Sequence, residues 1–153
     1  MLIRGSFDPS GSPVIPIEIA GPTGGRCYEA TIDTGFTGFV VVNIGEMIHL
    51  GLKTDGATEV TLGDGRTVPD LMAEASVAVG AVTKAGTILL SETSNEVLIG
   101  LDFLRTFRLA LILTATAVIL YDEAETLAAV FRALLSTPLG TPNTAPSATS
   151  GEV

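Results

Sequence analysis

A chain of 153 residues suits one domain, large enough to bury roughly two thirds of its unfolded surface. Its formal charge of −9, with 8 scattered Lys and Arg, excludes the basic footprint that nucleic acid or an anionic membrane surface requires. The one cysteine, Cys27, allows no intramolecular disulfide and suits a reducing compartment. With the one histidine, His49, it cannot build a Cys/His metal site within a chain.

The apolar share is 46%, with few aromatics and much Val, Ile, Leu, Thr and Gly, which favours strands joined by glycine turns over a helical bundle. The opening MLIRGSFDPSGSP lacks the apolar core of a signal peptide, and no element is predicted there. Residues 14–20 alternate around Ile15, Ile17 and Ile19 as a half-buried strand. GPTGGR, residues 21–26, makes a hairpin loop; no Gly-Lys-Ser/Thr follows and no helix opens there, so it does not read as a phosphate loop. Residues 27–33 form the next strand, with Tyr28, Ala30 and Ile32 on one face and Cys27, Glu29, Thr31 and Asp33 on the other. Residues 39–42 are apolar on both faces, as a strand inside a core would be. Residues 43–52 read as a short helix capped by Asn43 and stopped near Gly51, with His49 capping it or facing solvent.

Strands at 58–62 and 67–79 flank LGDGRT, whose Asp64-Gly65 is a hairpin-turn signal. Leu71, Ala73, Ala75, Val77 and Val79 share one face of the second strand. Pro69 denies that strand a ladder hydrogen bond, so this arm is expected to project from the sheet. Short strands follow at 87–90, 97–99, 107–113 and 117–120, with one helical turn at 101–106. The greasy stretch 109–121 is too short to span a bilayer and is broken by Thr114 and Thr116, so a soluble, cytoplasmic protein is expected. Asp122 with Glu125 forms a capping box for a helix over about 122–136, striped by Leu127, Val130, Phe131, Leu134 and Leu135. The tail, 138–153, is rich in Pro, Ser, Thr and Ala and is expected to be disordered, which leaves a single domain over 1–137.

Asp33 is the residue that asks for chemistry. It lies in EATIDTGFTGFVVV, residues 29–42, between apolar strands and with no Lys, Arg or His beside it. Burying an unpaired carboxylate costs several kcal/mol and usually shifts its pKa instead. Asp33-Thr34-Gly35 alone is a weak signal. Its setting is stronger: the glycine-tipped hairpin follows, and then VLIGLDFL at 97–104.

The order IDTG, LGDGRT, VLIG resembles the retroviral-type (retropepsin-like) aspartic proteases, most closely the small prokaryotic branch whose active-site motif reads Asp-Thr-Gly-Phe. The resemblance runs from about Val14 to Asp122 and includes VIPIEIAGPTGG and NIGEMIHLGL. It implies a mostly β, acid-protease-like closed barrel subunit with a flap hairpin, short helices and a C-terminal helix. Asp33 would be the catalytic carboxylate. Thr34 would hold the partner loop across a dimer axis, and Gly35 would place an N–H on the acid. Gly63, Asp64 and Gly65 would form the flap tip over a substrate. Ile99 and Gly100 would support the active-site loop from behind, the missing side chain making room for it.

One Asp-Thr-Gly supplies one carboxylate, and the chemistry needs both a base and an acid. Two chains must therefore bring Asp33 against Asp33 as a homodimer, sharing one proton and requiring no metal or cofactor. The implied substrate is an extended peptide or protein, paired by backbone with apolar side chains in pockets. Activity is expected to rise from neutral toward about pH 5. Two departures stand out. Retroviral relatives often join an acid two residues past the Gly to an Arg after the second Gly, and these positions are Thr37 and Leu101 here. Dimer support is therefore expected from apolar packing near residues 109–120 or from the C-terminal helix. Phe36 replaces a commonly small residue. Glu29 and Asp102 read as solvated or capping acids. The alternative function is a non-catalytic dimeric module of the same fold that binds peptides or proteins; the intact Asp-Thr-Gly favours the enzyme.

Overall fold

The computed structural model describes residues 1–61 and 64–122, together with Ala128, Ala129, Arg132, Leu135 and Ser136. In chain order the elements are β1 (Leu2–Phe7), β2 (Pro13–Gly21), β3 (Gly24–Ile32), β4 (Val40–Asn43), α1 (Glu46–Leu50), β5 (Thr54–Thr61), β6 (Thr67–Val79), β7 (Val82–Ser91), β8 (Val97–Ile99), α2 (Leu101–Phe107), β9 (Leu109–Leu113) and β10 (Val118–Asp122).

Six strands close on themselves in the order β2–β3–β8–β4–β7–β6, and β6 returns to β2 through Glu18↔Ala78, Ile19↔Val77 and Ala20↔Ser76. This is an acid-protease-like β-barrel. Period-2 alternation turns Ile15, Ile17 and Ile19 of β2 and Ala73, Ala75, Val77 and Val79 of β6 into the same core. β4, apolar on both faces, runs between β7 and β8 with Val40, Val41 and Val42 all buried. Phe39, Phe103 and Phe107 close the core beneath β4, with ring centroids 4.6–6.3 Å apart. β1, β10 and β9 extend the sheet beyond β2, and among the described residues β9 is the outermost strand on that side.

Several expectations are met closely: β8 spans the predicted residues, β6 spans the predicted 67–79, and Gly51 ends α1 in the left-handed conformation at φ 66°. The projecting arm is present as well. Residues 67–70 pair only with β5, because β6 meets β7 no earlier than Leu71↔Leu90, and Pro69 therefore costs no ladder bond on that side.

Other expectations are corrected. β1 was not predicted; it is held between β10 and β2, with Ile3 buried. Only Pro22 and Thr23 of GPTGGR lie outside strands. β5 starts at Thr54 through an irregular step at Gly56, and β7 starts at Val82 rather than 87. Asn43 ends β4 instead of capping a helix: its Oδ1 accepts from the Gly45 N–H at 2.8 Å and its Nδ2 donates to the Ser94 carbonyl at 2.8 Å. Phe107 belongs to α2, not to the following strand. Asp122 ends β10, its Oδ2 accepting from the Met1 amino group at 2.6 Å. Of the proposed C-terminal helix, Ala128, Ala129, Arg132 and Leu135 are helical. Glu125, Leu127, Val130, Phe131, Leu134 and the tail 138–153 lie outside the described residues.

Candidate active site

β3 and β8 run parallel, with Ile32 beside Ile99, so their continuations leave the barrel together. That register sets Asp33 next to Gly100. The Asp33 N–H donates to the Ile99 carbonyl at 3.0 Å, carrying the ladder one residue past the strand. The chain then turns: Phe36 N–H donates to the Asp33 carbonyl at 3.2 Å, and Gly35 N–H donates to Asp33 Oδ1 at 2.8 Å. One carboxylate oxygen is thereby fixed by backbone. Asp33 is half-buried, while Thr34 and Gly35 are exposed.

The same loop caps α2. The first N–H groups of a helix have no intrahelical acceptors, and here the loop supplies them. Leu101 N–H donates to the Phe36 carbonyl at 2.9 Å, and Asp102 N–H is shared between the Thr37 and Gly38 carbonyls at 3.2 Å each. Gly100 N–H donates to the Phe39 carbonyl at 3.1 Å. Gly100 has extended backbone, φ −111° and ψ −166°, which any residue adopts. What requires glycine is space: a Cβ there would collide with the Gly38 carbonyl oxygen and come within 2.6 Å of the Phe36 carbonyl oxygen. Thr37 and Leu101 take part in this set of backbone bonds.

The hairpin arm faces the loop across a cleft of about 810 Å³. Asp33 and Phe36 line it from the loop, Thr58 and Val60 from β5, and Leu89 and Leu98 from the barrel. At the hairpin tip Asp64 accepts from Arg66 N–H at 3.0 Å and pairs with Arg66 Nε at 2.7 Å, bonds that hold its carboxyl below the usual range. Gly65 takes φ 84°, the left-handed value that glycine tolerates without strain. Gly63 lies outside the described residues.

The structure thus brings Asp33, Gly35, Ile99 and Gly100 into one unit and sets the arm carrying Asp64 and Gly65 opposite. Sequence reasoning passed over Asp70. It lies on β6 in this cleft wall, 6% exposed, and burial raises its pKa while the Ser91 hydroxyl partly opposes the rise. The signal available was an acid one residue after Pro69, where the arm leaves the barrel.

This fold matches that of a crystal structure of a retropepsin-like aspartic protease from Rickettsia conorii, with TM-score 0.55 and 17% identity over 78% of this chain and 89% of that one. No protein-family model matches the sequence, and no curated protein matches it significantly. No helix among the described residues is long and apolar enough to cross a membrane.

Proposed function

We propose that the chain is a homodimeric aspartic endopeptidase of the prokaryotic Asp-Thr-Gly-Phe branch, acting in the cytoplasm. The observation that carries this reading is the placement of Asp33: a carboxylate bonded to the Gly35 N–H, on the floor of an open cleft, in a barrel shared with a retropepsin-like protease. Each chain brings one such acid, so the working pair is Asp33 from each of two subunits.

Two carboxylates that close cannot both ionise, and the pair holds one proton between them. The ionised member takes a proton from a water lying between the two. The resulting hydroxide adds to the scissile carbonyl carbon as the protonated member gives its proton to the carbonyl oxygen. Collapse of the tetrahedral intermediate breaks the C–N bond: one of its hydroxyls returns a proton to the ionised carboxylate while the other carboxyl protonates the departing amine, which leaves the pair with one proton again. Thr34 braces the two loops across the axis, and Ile99 with Gly100 anchors each loop from behind. Gly63, Asp64 and Gly65 close as a flap over an extended peptide. The two-fold contact draws on β9, the outermost strand on that side among the described residues, where Leu113 is 48% exposed.

The test is digestion of a mixed peptide library by wild type and by Asp33→Asn, read by mass spectrometry, with the oligomeric state measured by sedimentation. Cuts confined to the wild type are expected from a dimer. Cuts that persist in Asp33→Asn refute the assignment. A dimer that cuts nothing points to a peptide-binding module.

A further inference from the structure

Asp70 has no part in the hydrolysis just described, yet it is the most deeply buried carboxylate of the cleft wall. It sits one residue beyond the last β6–β7 pair, Leu71↔Leu90, where the arm begins to diverge, and it meets Ser91 at the end of β7. Ser91 stands beside it, and its hydroxyl partly opposes the rise that burial gives the carboxyl pKa. The Ser91 and Thr93 hydroxyls are themselves hydrogen-bonded at 3.2 Å and line the same cleft. Val41 and Leu89 supply apolar wall in the same cleft.

What Asp70 lacks is a counter-charge. All 8 Lys and Arg are among the described residues, and neither they nor His49 line the cleft. Desolvation without an opposing cation is what raises the pKa of this group. A buried carboxylate facing a cleft is costly for the free protein, and a cation arriving with a ligand offsets that cost. Lysine and arginine suit such a place doubly, because their aliphatic stems pack on apolar wall while the head meets the acid.

We infer that Asp70 determines specificity: its carboxylate receives the lysine or arginine side chain of an extended substrate, whose stem lies against Val41 and Leu89. The inference rests on the reading that this cleft holds a peptide, and it adds a substrate class, chains bearing a basic residue at the position beneath the arm.

The test separates this subsite from hydrolysis. Peptide pools fixed at one central position as lysine or as norleucine are titrated into Asp33→Asn protein, and into Asp33→Asn/Asp70→Asn, by fluorescence anisotropy. Asn keeps the size of Asp, and circular dichroism verifies its fold. The lysine pool is expected to bind roughly tenfold tighter than the norleucine pool, as a charge-assisted contact gives, and Asp70→Asn should abolish the difference. Equal binding of the two pools, a preference that survives Asp70→Asn, or no binding of either pool overturns the inference. If the lysine preference holds while wild type cuts nothing, the subsite stands and the hydrolytic reading falls. If wild type cuts without favouring basic residues and the pools bind alike, the reverse is true.

Discussion

Replacing Gly100 by alanine adds one methyl group where three atoms already stand. Its Cβ would lie 2.6 Å from the Phe36 carbonyl oxygen and 2.5 Å from Phe36 Cδ1, and would also collide with the Gly38 carbonyl oxygen. Ordinary contact begins at 3.4 Å, so the Phe36 oxygen must retreat by about 0.8 Å. That oxygen accepts from Leu101 N–H at 2.9 Å, and a retreat of this size takes the bond out of range. Overpacking of this kind costs about 1–3 kcal/mol, and the lost hydrogen bond about 0.5–1.5 kcal/mol more. The expected total is about 2–4 kcal/mol, or roughly 10 °C in Tm for a domain of this size. Because the loop that moves carries Asp33, cleavage should fall by about two orders of magnitude, as a 1 Å misplacement does. Urea unfolding followed by circular dichroism reads the stability, and peptide turnover reads the activity. Gly65→Ala is the control: it imposes φ 84° on alanine with nothing among the described residues within 4 Å of the added Cβ, and should cost only about 1 kcal/mol. A Gly100→Ala protein within about 0.5 kcal/mol of wild type would refute the packing described for the loop.

Phe103, fully buried between Phe39 and Phe107, should lose about 3–5 kcal/mol on truncation to alanine, measured by the same unfolding curves. Asp70 gives a pH signature. Its folded pKa is raised, so between the unfolded carboxylate value and the folded one the native state binds more protons, and stability falls as pH rises. Asp70→Asn removes that slope: its Tm relative to wild type should climb from about pH 3.5 to about pH 7, and a constant difference across the range would contradict the burial account.

Much of this site was legible because its parts are local. IDTG and VLIG each end a short apolar strand, and the parallel pairing of those strands brings Asp33 and Gly100 together. Pro69 likewise announced the arm, since a residue without an N–H suits a stretch paired on one side only. What escaped depends on distant partners. β1 carries Arg4, Gly5 and Ser6 between its apolar residues and shows no alternation; pairing with β10 across most of the chain makes it a strand. The first half of β7 is polar, and it pairs because Gly80, at φ 57°, turns β6 back on itself. Asn43 carried a helix-cap signal, but pairing with Ser91 extended β4 through it. Phe107 suits a strand by propensity, and its ring packs on Phe103 and Phe39 from a helix instead. Asp70 lies on the strand face opposite the core stripe, which reads as solvent; only the approach of Ser91 and the residues after it turns that face into a cleft wall.

The central claim is that one active site takes Asp33 from two chains, and a mixing experiment tests it directly. Wild type and Asp33→Asn chains are unfolded together, refolded at varied ratios with total protein constant, and assayed on one cleaved peptide. If both carboxylates are required, activity follows the square of the wild-type fraction, leaving about a quarter at equal mixing. A linear fall, with about half remaining, would mean that a single chain carries a complete site, and the two-chain mechanism would be wrong.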